Sequence, residues 1–485
     1  MNNVICIAGS SGVGKTTIAK LIRTILPIGE VLMLSGDDLH KWPRKSPHWI
    51  QLTHLNPYAN FIEKGADHIE ALKNGQSIER RVYNHNTGFF KNAIKVDPRQ
   101  NIIYEGLHAL YDSKIRDLSD IKIYVDTEEE LKVDWKIDRD TKKRGYTRQQ
   151  AINAIEKRKE DEEKYIKPQK QYADIVVRYS RKNAKICLDC EVITPAGTKL
   201  ASEIKELFTK QQDFLSACKQ LTENEELVQH KGGNVSYGYA DKLIISSSGT
   251  SLSDVSVESG FCICDPQQLD RKFDNEVDYT EAINKSKIVD TSERPSMEVG
   301  LHAALQDLGQ AVLHTHPLCL NSILCSKQAG SIIGNLYSKF NYVFIPYITP
   351  GHELSNMVSN KNLYEALPAN SSATVIFMQN HGLVVACDSL KECVAVTKEI
   401  NEISRHFLNQ RLRMQAPEQS RRIWYSQPGE HLFPDSVVLA KETMFAHAYV
   451  FNNILQAGLI PRCLSDSDVN KLLKLESEKY RREIE

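Results

Sequence analysis

The 485-residue sequence has no long apolar run. Nothing in it approaches the ~20 apolar residues that a membrane-spanning helix requires, which argues against a transmembrane protein. It has no excess of charge: 61 Lys and Arg stand against 62 Asp and Glu, a formal net charge of −1. Bulk electrostatics therefore gives no reason to expect nucleic acid or a membrane surface as partner. No low-complexity tract and no repeat with a period of roughly 20–50 residues is visible, so solenoids and propellers are not expected. The first apolar run, Val4–Ala8, has no basic stretch before it and stops at Gly9, unlike a secretory signal. The eleven cysteines lack the paired spacing of a zinc ribbon, since Cys187/Cys190 and Cys262/Cys264 have no second pair to match. They read as reduced thiols of a cytoplasmic protein.

What is present is ordinary in bulk: 41% apolar and 25% charged residues, on a length that suits several domains. Over residues 1–180, strand-like runs at Val4–Ala8, Glu30–Leu34, Asn101–Tyr104, Ile121–Val125 and Ile175–Val177 alternate with helical stretches, which predicts a parallel α/β sheet. The charged stretch Ala151–Lys170 reads as a solvated helix. A strand-like run from Lys185, the turn Pro195-Ala196-Gly197 and a helix starting near Ala201 mark a seam between about 180 and 205. Beyond it, strand-like runs at Leu243–Ser247, Gly260–Asp265, Ala311–His314, Tyr342–Pro346, Ala373–Met378 and Leu383–Ala386 alternate with helices such as Ser296–Leu308 and Leu390–Asn409. This predicts a second α/β domain. The expected domains are 1–185 and 205–485.

The first chemical signature is Gly9-Ser10-Ser11-Gly12-Val13-Gly14-Lys15-Thr16, which fits G-x-x-x-x-G-K-[ST] between an apolar strand and a helical stretch beginning at Thr17. Its glycines let successive N–H groups turn toward phosphates at a helix N-terminus. Lys15 offers a point charge to the β- and γ-phosphates, and the Thr16 hydroxyl a Mg²⁺ ligand. This predicts a nucleoside triphosphate site spanning Gly9 to Thr17. Asp37, in Ser35-Gly36-Asp37-Asp38-Leu39-His40, follows the second strand, where a carboxylate can take a proton from an acceptor hydroxyl. Glu105, in Ile103-Tyr104-Glu105-Gly106, follows another strand and can bring a carboxylate near the metal.

Taken together, these blocks resemble the phosphoribulokinase/uridine kinase family over residues 1–180. The resemblance also rests on Arg44, Asn56-Pro57-Tyr58-Ala59-Asn60, Ile78 to Gly88, Glu105-Gly106-Leu107-His108, Trp135 to Asp140, Arg144-Gly145 and Tyr165 to Asp174, all in family order. It implies a P-loop kinase using ATP and Mg²⁺. Asp37 would be the general base, Lys15 and the loop would hold phosphates, and Thr16 and Glu105 would support Mg²⁺. His40, Arg44 and Lys136 would face the acceptor, with Arg139 and Arg144 as phosphate-contacting cations.

The second signature is His314-Thr315-His316. Residues i and i+2 of a strand share a face, so both imidazoles can reach one metal, and His381 in Asn380-His381-Gly382 is a third candidate. Three imidazoles with an open position match a catalytic zinc site. With Lys231 to Ser236, Ser246 to Leu252 and Arg294 to His302, the set resembles the class II aldolase/adducin family over about 205–410. The resemblance implies Zn²⁺ on His314, His316 and His381, Glu298 as catalytic acid/base, and Asn234, Ser248, Gly249 and Ser296 at the substrate phosphate. It also implies a homo-oligomer formed through this domain. His352 and the tail His431-Leu432-Phe433-Pro434-Asp435 are further candidates for the pocket wall.

The whole reads as a bifunctional cytoplasmic enzyme: an ATP-dependent kinase of a sugar or sugar phosphate, joined to a zinc-dependent aldol-type lyase acting on a phosphorylated carbohydrate. Decarboxylation, epimerisation and dehydration also occur in the second family, as does the non-catalytic role of adducin, which lacks the three histidines.

Overall fold

In the computed structural model, the apolar runs of the first half lie side by side, and those at Val4–Ala8 and Asn101–Tyr104 are buried on both faces. The strands are β1 (Asn3–Gly9), β2 (Val31–Ser35), β3 (Ile78–Asn84), β4 (Phe89–Val96), β5 (Asn101–Gly106), β6 (Ile121–Thr127), β7 (Ile175–Lys182) and β8 (Lys185–Val192). Six of them form one sheet in the order β2-β5-β1-β6-β7-β8. The first five are mutually parallel, and β8 is an antiparallel edge. Parallel strands must be covered on both sides, which is why β1, β5 and β6 read as near-continuous apolar runs. The ends of β1, β2 and β5 are level: Ser35 pairs with Glu105, and Ala8 with Gly106. β3 and β4 make a separate antiparallel hairpin, which is too rich in charged residues to read as strand from the sequence. Arg80 of β3 is buried and donates to the Ser35 carbonyl at 2.6 Å and to Asp38 at 2.8 Å, fastening the hairpin beside the end of β2.

The structure describes residues 2–475 apart from 28, 45, 86, 184, 258, 289–292, 366, 368–371, 415–429 and 440–442; Asn86, within the Ile78 to Gly88 block, lies outside the described residues. Two compact units are present, Met1–Thr209 and Lys210–Glu485. The division falls later than the sequence seam, because β8 pairs with β7 and because Phe208 stacks edge-on against Tyr179 at 5.9 Å. The helix expected near Ala201 spans Thr198–Thr222. Among the described residues no helix is long and apolar enough to cross a membrane.

The second unit is built on a seven-stranded sheet. Its strands are β9 (Asn234–Tyr239), β10 (Lys242–Ser246), β11 (Phe261–Cys264), β12 (Ala311–Thr315), β13 (Tyr342–Ile345), β14 (Ala373–Met378) and β15 (Gly382–Cys387), in the order β11-β10-β9-β12-β15-β14-β13. Only β13 and β14 run parallel. The central strand β12 is antiparallel to both neighbours, so its end meets their beginnings: His314 pairs with Asn234, and Thr315 with Leu383. Three segments far apart in sequence converge there.

Three sequence expectations change. The stretch 151–170 is not one solvated helix. The helix Arg148–Glu156 gives way to a turn at Lys159–Asp161, a π-turn at Glu162–Ile166 and a 3₁₀ segment at Lys167–Tyr172. Pro168 cannot continue the α ladder, while Ile166 and Gln169 are buried, and Gln169 bridges the Leu107 carbonyl and the Leu110 amide. The helix expected over Ser296–Leu308 is only Val299–Ala304, and the one over Leu390–Asn409 extends to Met414.

Ile102 on β5 is fully buried, within a cluster that includes Val4, Cys6, Leu34 and Tyr104. Ile102→Ala is expected to cost about 2–5 kcal/mol through lost burial and the cavity left behind, measured by denaturant titration of the full chain. A loss below about 1 kcal/mol would mean that the cluster closes around the smaller side chain.

Candidate active sites

In the first unit the loop after β1 turns through left-handed conformations at Gly12 (φ +88°) and Gly14 (φ +93°) and leads into the helix Lys15–Ile25. A Cβ on Gly14 would lie 2.9 Å from the Tyr179 ring, and one on Gly12 would lie 3.2 Å from Lys136 Cβ, so the loop is tight as well as left-handed. Lys15 Nζ donates to the Ser10 carbonyl at 2.8 Å. Burial pushes its ammonium down, against Glu105 and Asp37 nearby. Thr16 Oγ1 donates to Glu105 Oε1 at 3.2 Å, so the two residues expected at Mg²⁺ are in contact.

Asp37 sits just past β2, with His40 Nε2 3.5 Å from one oxygen and His85 Nε2 3.7 Å from the other. Burial opposes its charge, but His40, His85, Lys15 and Arg144 outweigh it and hold the carboxyl below its usual value. Its neighbour Asp38 is structural, taken up by Arg80 and by the Tyr83 amide at 2.6 Å. His40 Nδ1 is tied to Asn60 Oδ1 at 2.6 Å, and Arg44 donates to the His85 carbonyl.

Four cations gather beside the loop. Arg139 reaches Ser11 Oγ at 3.4 Å and, with Arg144, brackets buried Asp140. Lys136 is not on a solvated face: it is 5% exposed, and burial together with Arg158 and Arg139 pushes its ammonium well down. Arg158, which no local pattern marks, lines a small cleft with Lys136 and Ser11, and burial lowers it to about 10. With Lys132 and Glu162, which line the same cleft, five basic side chains stand against two carboxylates, a surplus that suits an anionic ligand. Glu162 on the π-turn accepts from Ser10 Oγ at 2.6 Å and from Lys132 at 2.7 Å, tying the broken segment to the loop.

In the second unit the three histidines expected at a metal converge, their ligand nitrogens all within 4.8 Å of one another. Among the described residues no other group of three or more His, Cys, Asp or Glu is placed to hold an ion. His314 Nε2 and His316 Nε2 are 2.9 Å apart. Their Nδ1 atoms are engaged elsewhere, His314 with the Leu383 carbonyl at 3.0 Å and His316 with Asp435 Oδ2 at 3.1 Å. Burial pushes His314 down to about 3, so it is neutral. If each Nδ1 carries the ring's single proton and donates it outward, the two Nε2 lone pairs face each other, an arrangement a shared cation relieves. His381 Nδ1 is buried without a hydrogen-bond partner. Imidazole nitrogens in this number suit zinc rather than Mg²⁺ or Ca²⁺.

Glu298, at the start of the helix Val299–Ala304, places its oxygens 3.4 Å from His314 Nε2 and 3.2 Å from His381 Nε2. Burial opposes its charge, while the Asn234 amide and the nearby His381 ring favour it. Asn234 Nδ2 donates to Glu298 at 2.8 Å and to Ser296 Oγ at 3.2 Å. Behind it lies buried His302, absent from the candidate residues read from the sequence. Its Nε2 touches Asn234 Oδ1, and its Nδ1 meets Ser236 Oγ at 2.7 Å. Since the Asn234 amide nitrogen already donates twice, His302 must donate to Asn234 and accept from Ser236. Ser248 and Gly249 line the same cleft with Asn234, Ser296 and Lys231. Of the further wall candidates, Pro434 and Asp435 line the cleft. His352 instead pairs with Glu276 at 3.0 Å, and His431 with the Ser436 carbonyl at 2.9 Å.

Comparison with known proteins agrees with this division. Residues 4–185 match the profile of the phosphoribulokinase/uridine kinase family, and residues 212–408 that of the class II aldolase and adducin N-terminal domain. A phosphoribulokinase of Synechocystis is 39% identical over 175 residues, 36% of this chain and 53% of that protein. A uridine kinase of Staphylococcus epidermidis is 33% identical over 193 residues, 38% of this chain and 91% of that protein. The chain spans about half the length of the phosphoribulokinases it matches. Among solved structures, the N-terminal class II aldolase domain of a conserved protein from Thermoplasma acidophilum is 22% identical, with a TM-score of 0.36 over 40% of this chain and 92% of that one. The chain therefore belongs, through residues 4–185, to the phosphoribulokinase/uridine kinase family and carries in residues 212–408 a class II aldolase and adducin N-terminal domain.

Proposed function

We propose that the chain is a bifunctional carbohydrate enzyme. Its first unit transfers the γ-phosphoryl group of MgATP to a hydroxyl of a sugar or sugar phosphate, and its second performs zinc-dependent aldol-type chemistry on a phosphorylated carbohydrate. Two arrangements support the reading: Asp37, Lys15, Thr16 and Glu105 gathered at the ends of β1, β2 and β5, and Glu298 set against three convergent imidazoles.

In the first unit the loop Gly9–Thr17 holds the triphosphate, with Thr16 and Glu105 on the Mg²⁺ side. Asp37, kept ionised by its cationic neighbours, accepts the proton of the attacking hydroxyl. His40 and Arg44 position the acceptor, and Lys136, Arg139, Arg144 and Arg158 favour one that already carries negative charge. In the second unit His314, His316 and His381 hold the metal, which when bound polarises a carbonyl oxygen. Glu298 moves the proton on the neighbouring carbon. Asn234 keeps its amide N–H toward that carboxylate, and the turn at Ser248 and Gly249, with Ser296, receives the phosphate. Joining the two units keeps both activities at equal stoichiometry in the cytoplasm, which suits consecutive steps. Decarboxylation, epimerisation or dehydration by the second unit would use the same residues.

The direct test is a kinase screen of C4–C7 sugars and sugar phosphates, with each product then offered to the second unit. Lys15→Ala and Asp37→Asn are expected to abolish ATP-dependent phosphorylation and leave the second activity intact. A Lys15→Ala chain that phosphorylates the acceptor at the wild-type rate would rule out the kinase assignment.

About one zinc per chain is expected by elemental analysis, and His314→Ala/His316→Ala should lose it. Full metal retention in that double variant would exclude the three-histidine centre.

Glu298→Gln is nearly isosteric and should keep the metal while lowering turnover by about 10²–10⁴-fold. If Glu298 served only as a helix-start residue, the same change would cost about 0.3–1 kcal/mol of stability and leave turnover near wild type. Melting temperature and turnover measured on one preparation separate the two outcomes.

A further inference from the structure

The match to the aldolase and adducin domain ends at residue 408, yet a contact to the three-histidine cluster, and another to the residue just before His381, come from beyond it. We propose that residues 431–439 and 460–464 supply the outer shell of the metal centre, with Asp435 as the positioning residue for His316 and Arg462 as the positioning residue for the turn that carries His381. The inference rests on the three-histidine reading above.

Asp435 is 6% exposed, and its Oδ2 lies 3.1 Å from His316 Nδ1. A carboxylate there accepts a hydrogen bond from the Nδ1–H, fixes the tautomer and turns the Nε2 lone pair toward His314. The fit is close: a Cβ on Gly232 would stand 3.1 Å from both Asp435 Oδ2 and His316 Nδ1. Asp435 is itself held, its carbonyl accepting from the Leu439 amide at 2.8 Å and from Thr443 Oγ1 at 3.1 Å.

The second contact acts through Asn380, the residue before His381. Asn380 is fully buried and left-handed at φ +55°, a conformation that asparagine takes more readily than other non-glycine residues, and its side chain is fastened there on every side. Its partners belong to the same segment. Arg462 Nη1 donates to Asn380 Oδ1 at 2.6 Å, and Asn380 Nδ2 donates to the Leu432 carbonyl at 2.8 Å and the Arg462 carbonyl at 2.5 Å. The segment is anchored in turn: the Arg462 amide donates to the Cys325 carbonyl at 2.8 Å, the Lys327 amide to Ile460 at 2.8 Å, and the Leu464 amide to His431 at 2.8 Å. Arg462 and Asp435 thus set the aim of two of the three imidazoles from a stretch outside the matched domain.

The test uses the full chain with Asp435→Ala, Asp435→Asn and Arg462→Met. Zinc affinity is read by competition with a chromophoric chelator, the coordination geometry by the visible absorption of the Co²⁺-loaded protein, and the fold by the melting temperature of the metal-free protein. Asp435→Ala should weaken zinc binding by about 10–100-fold with the metal-free melting temperature little changed. Asp435→Asn, whose amide oxygen can still accept, should lose less affinity but alter the Co²⁺ spectrum, and it carries the test should Asp435→Ala fail to fold. Arg462→Met should also weaken binding. Wild-type affinity and spectrum in both Asp435 variants, alongside zinc loss in His314→Ala/His316→Ala, would overturn this inference alone. Zinc retention in that double variant would overturn the metal centre on which it rests.

Discussion

Two imidazole nitrogens meet at 2.9 Å at the end of β12, with their ring-mate nitrogens committed to Leu383 and Asp435. Much of the second unit is arranged to make that meeting possible. β12 must be central and antiparallel to both neighbours, because only then do Asn234 at the start of β9 and Gly382 at the start of β15 arrive at the same level. Gly382 must lack a side chain, since a Cβ there would sit 2.4 Å from the Thr315 carbonyl and 2.8 Å from the His316 ring. Asn380 must take a left-handed turn for His381 to point back at the cluster. Each of these constrains the chain locally, and together they place three imidazoles and one carboxylate where no isolated segment could.

The first unit answers a different constraint, the close approach of backbone to phosphate. Parallel strands β1, β2 and β5 end level with one another, so residues just past them share one edge of the sheet, where ligands of open α/β sheets bind. The cradle is also held from behind. The π-turn Glu162–Ile166 brings Glu162 to Ser10 and Lys132, and π-turns are frequent at functional sites. A negative charge next to a phosphate loop would be costly if left unpaired; Lys132 at 2.7 Å offsets it.

What was legible in the sequence was local. The loop Gly9–Thr16 carries its spacing in consecutive residues, and the buried strands announce themselves as apolar runs. His314 and His316 share a strand, so their common face follows from a two-residue period. What was hidden depends on tertiary register. Arg158 becomes a cleft residue only because the stretch read as one solvated helix breaks near it. His302 looks like an ordinary helix residue, and only its contacts with Asn234 and Ser236 show that it orients an amide. The hairpin of β3 and β4 escaped because most of its charged residues are exposed, and Arg80, the one that is buried, is held by pairing with Asp38 rather than by apolar packing. Asp435 was legible only as a wall candidate, since its pairing with His316 spans more than a hundred residues.

The two carboxylates of the first cleft lead to a last point about division of labour. Asp37 and Glu105 lie at the ends of neighbouring strands and burial opposes the charge of both, yet they move in opposite directions. Around Asp37 the charges of Lys15 and Arg144, together with the imidazoles of His40 and His85 beside its two oxygens, outweigh burial, and its carboxyl falls below the usual value. Around Glu105 burial dominates, Asp37 adds repulsion, and Lys15 with the Thr16 hydroxyl only partly compensates, so its carboxyl rises. Carboxylates whose environments push them apart are suited to different tasks. The group held ionised by fixed neighbours can accept a proton without waiting for another ligand. The group whose charge is unfavourable until a further positive charge arrives is suited to a metal ion's side of the cleft, where a cation reverses the effect of burial. The assignment of Asp37 to the acceptor hydroxyl and Glu105 to Mg²⁺ thus has a basis in electrostatics as well as in position.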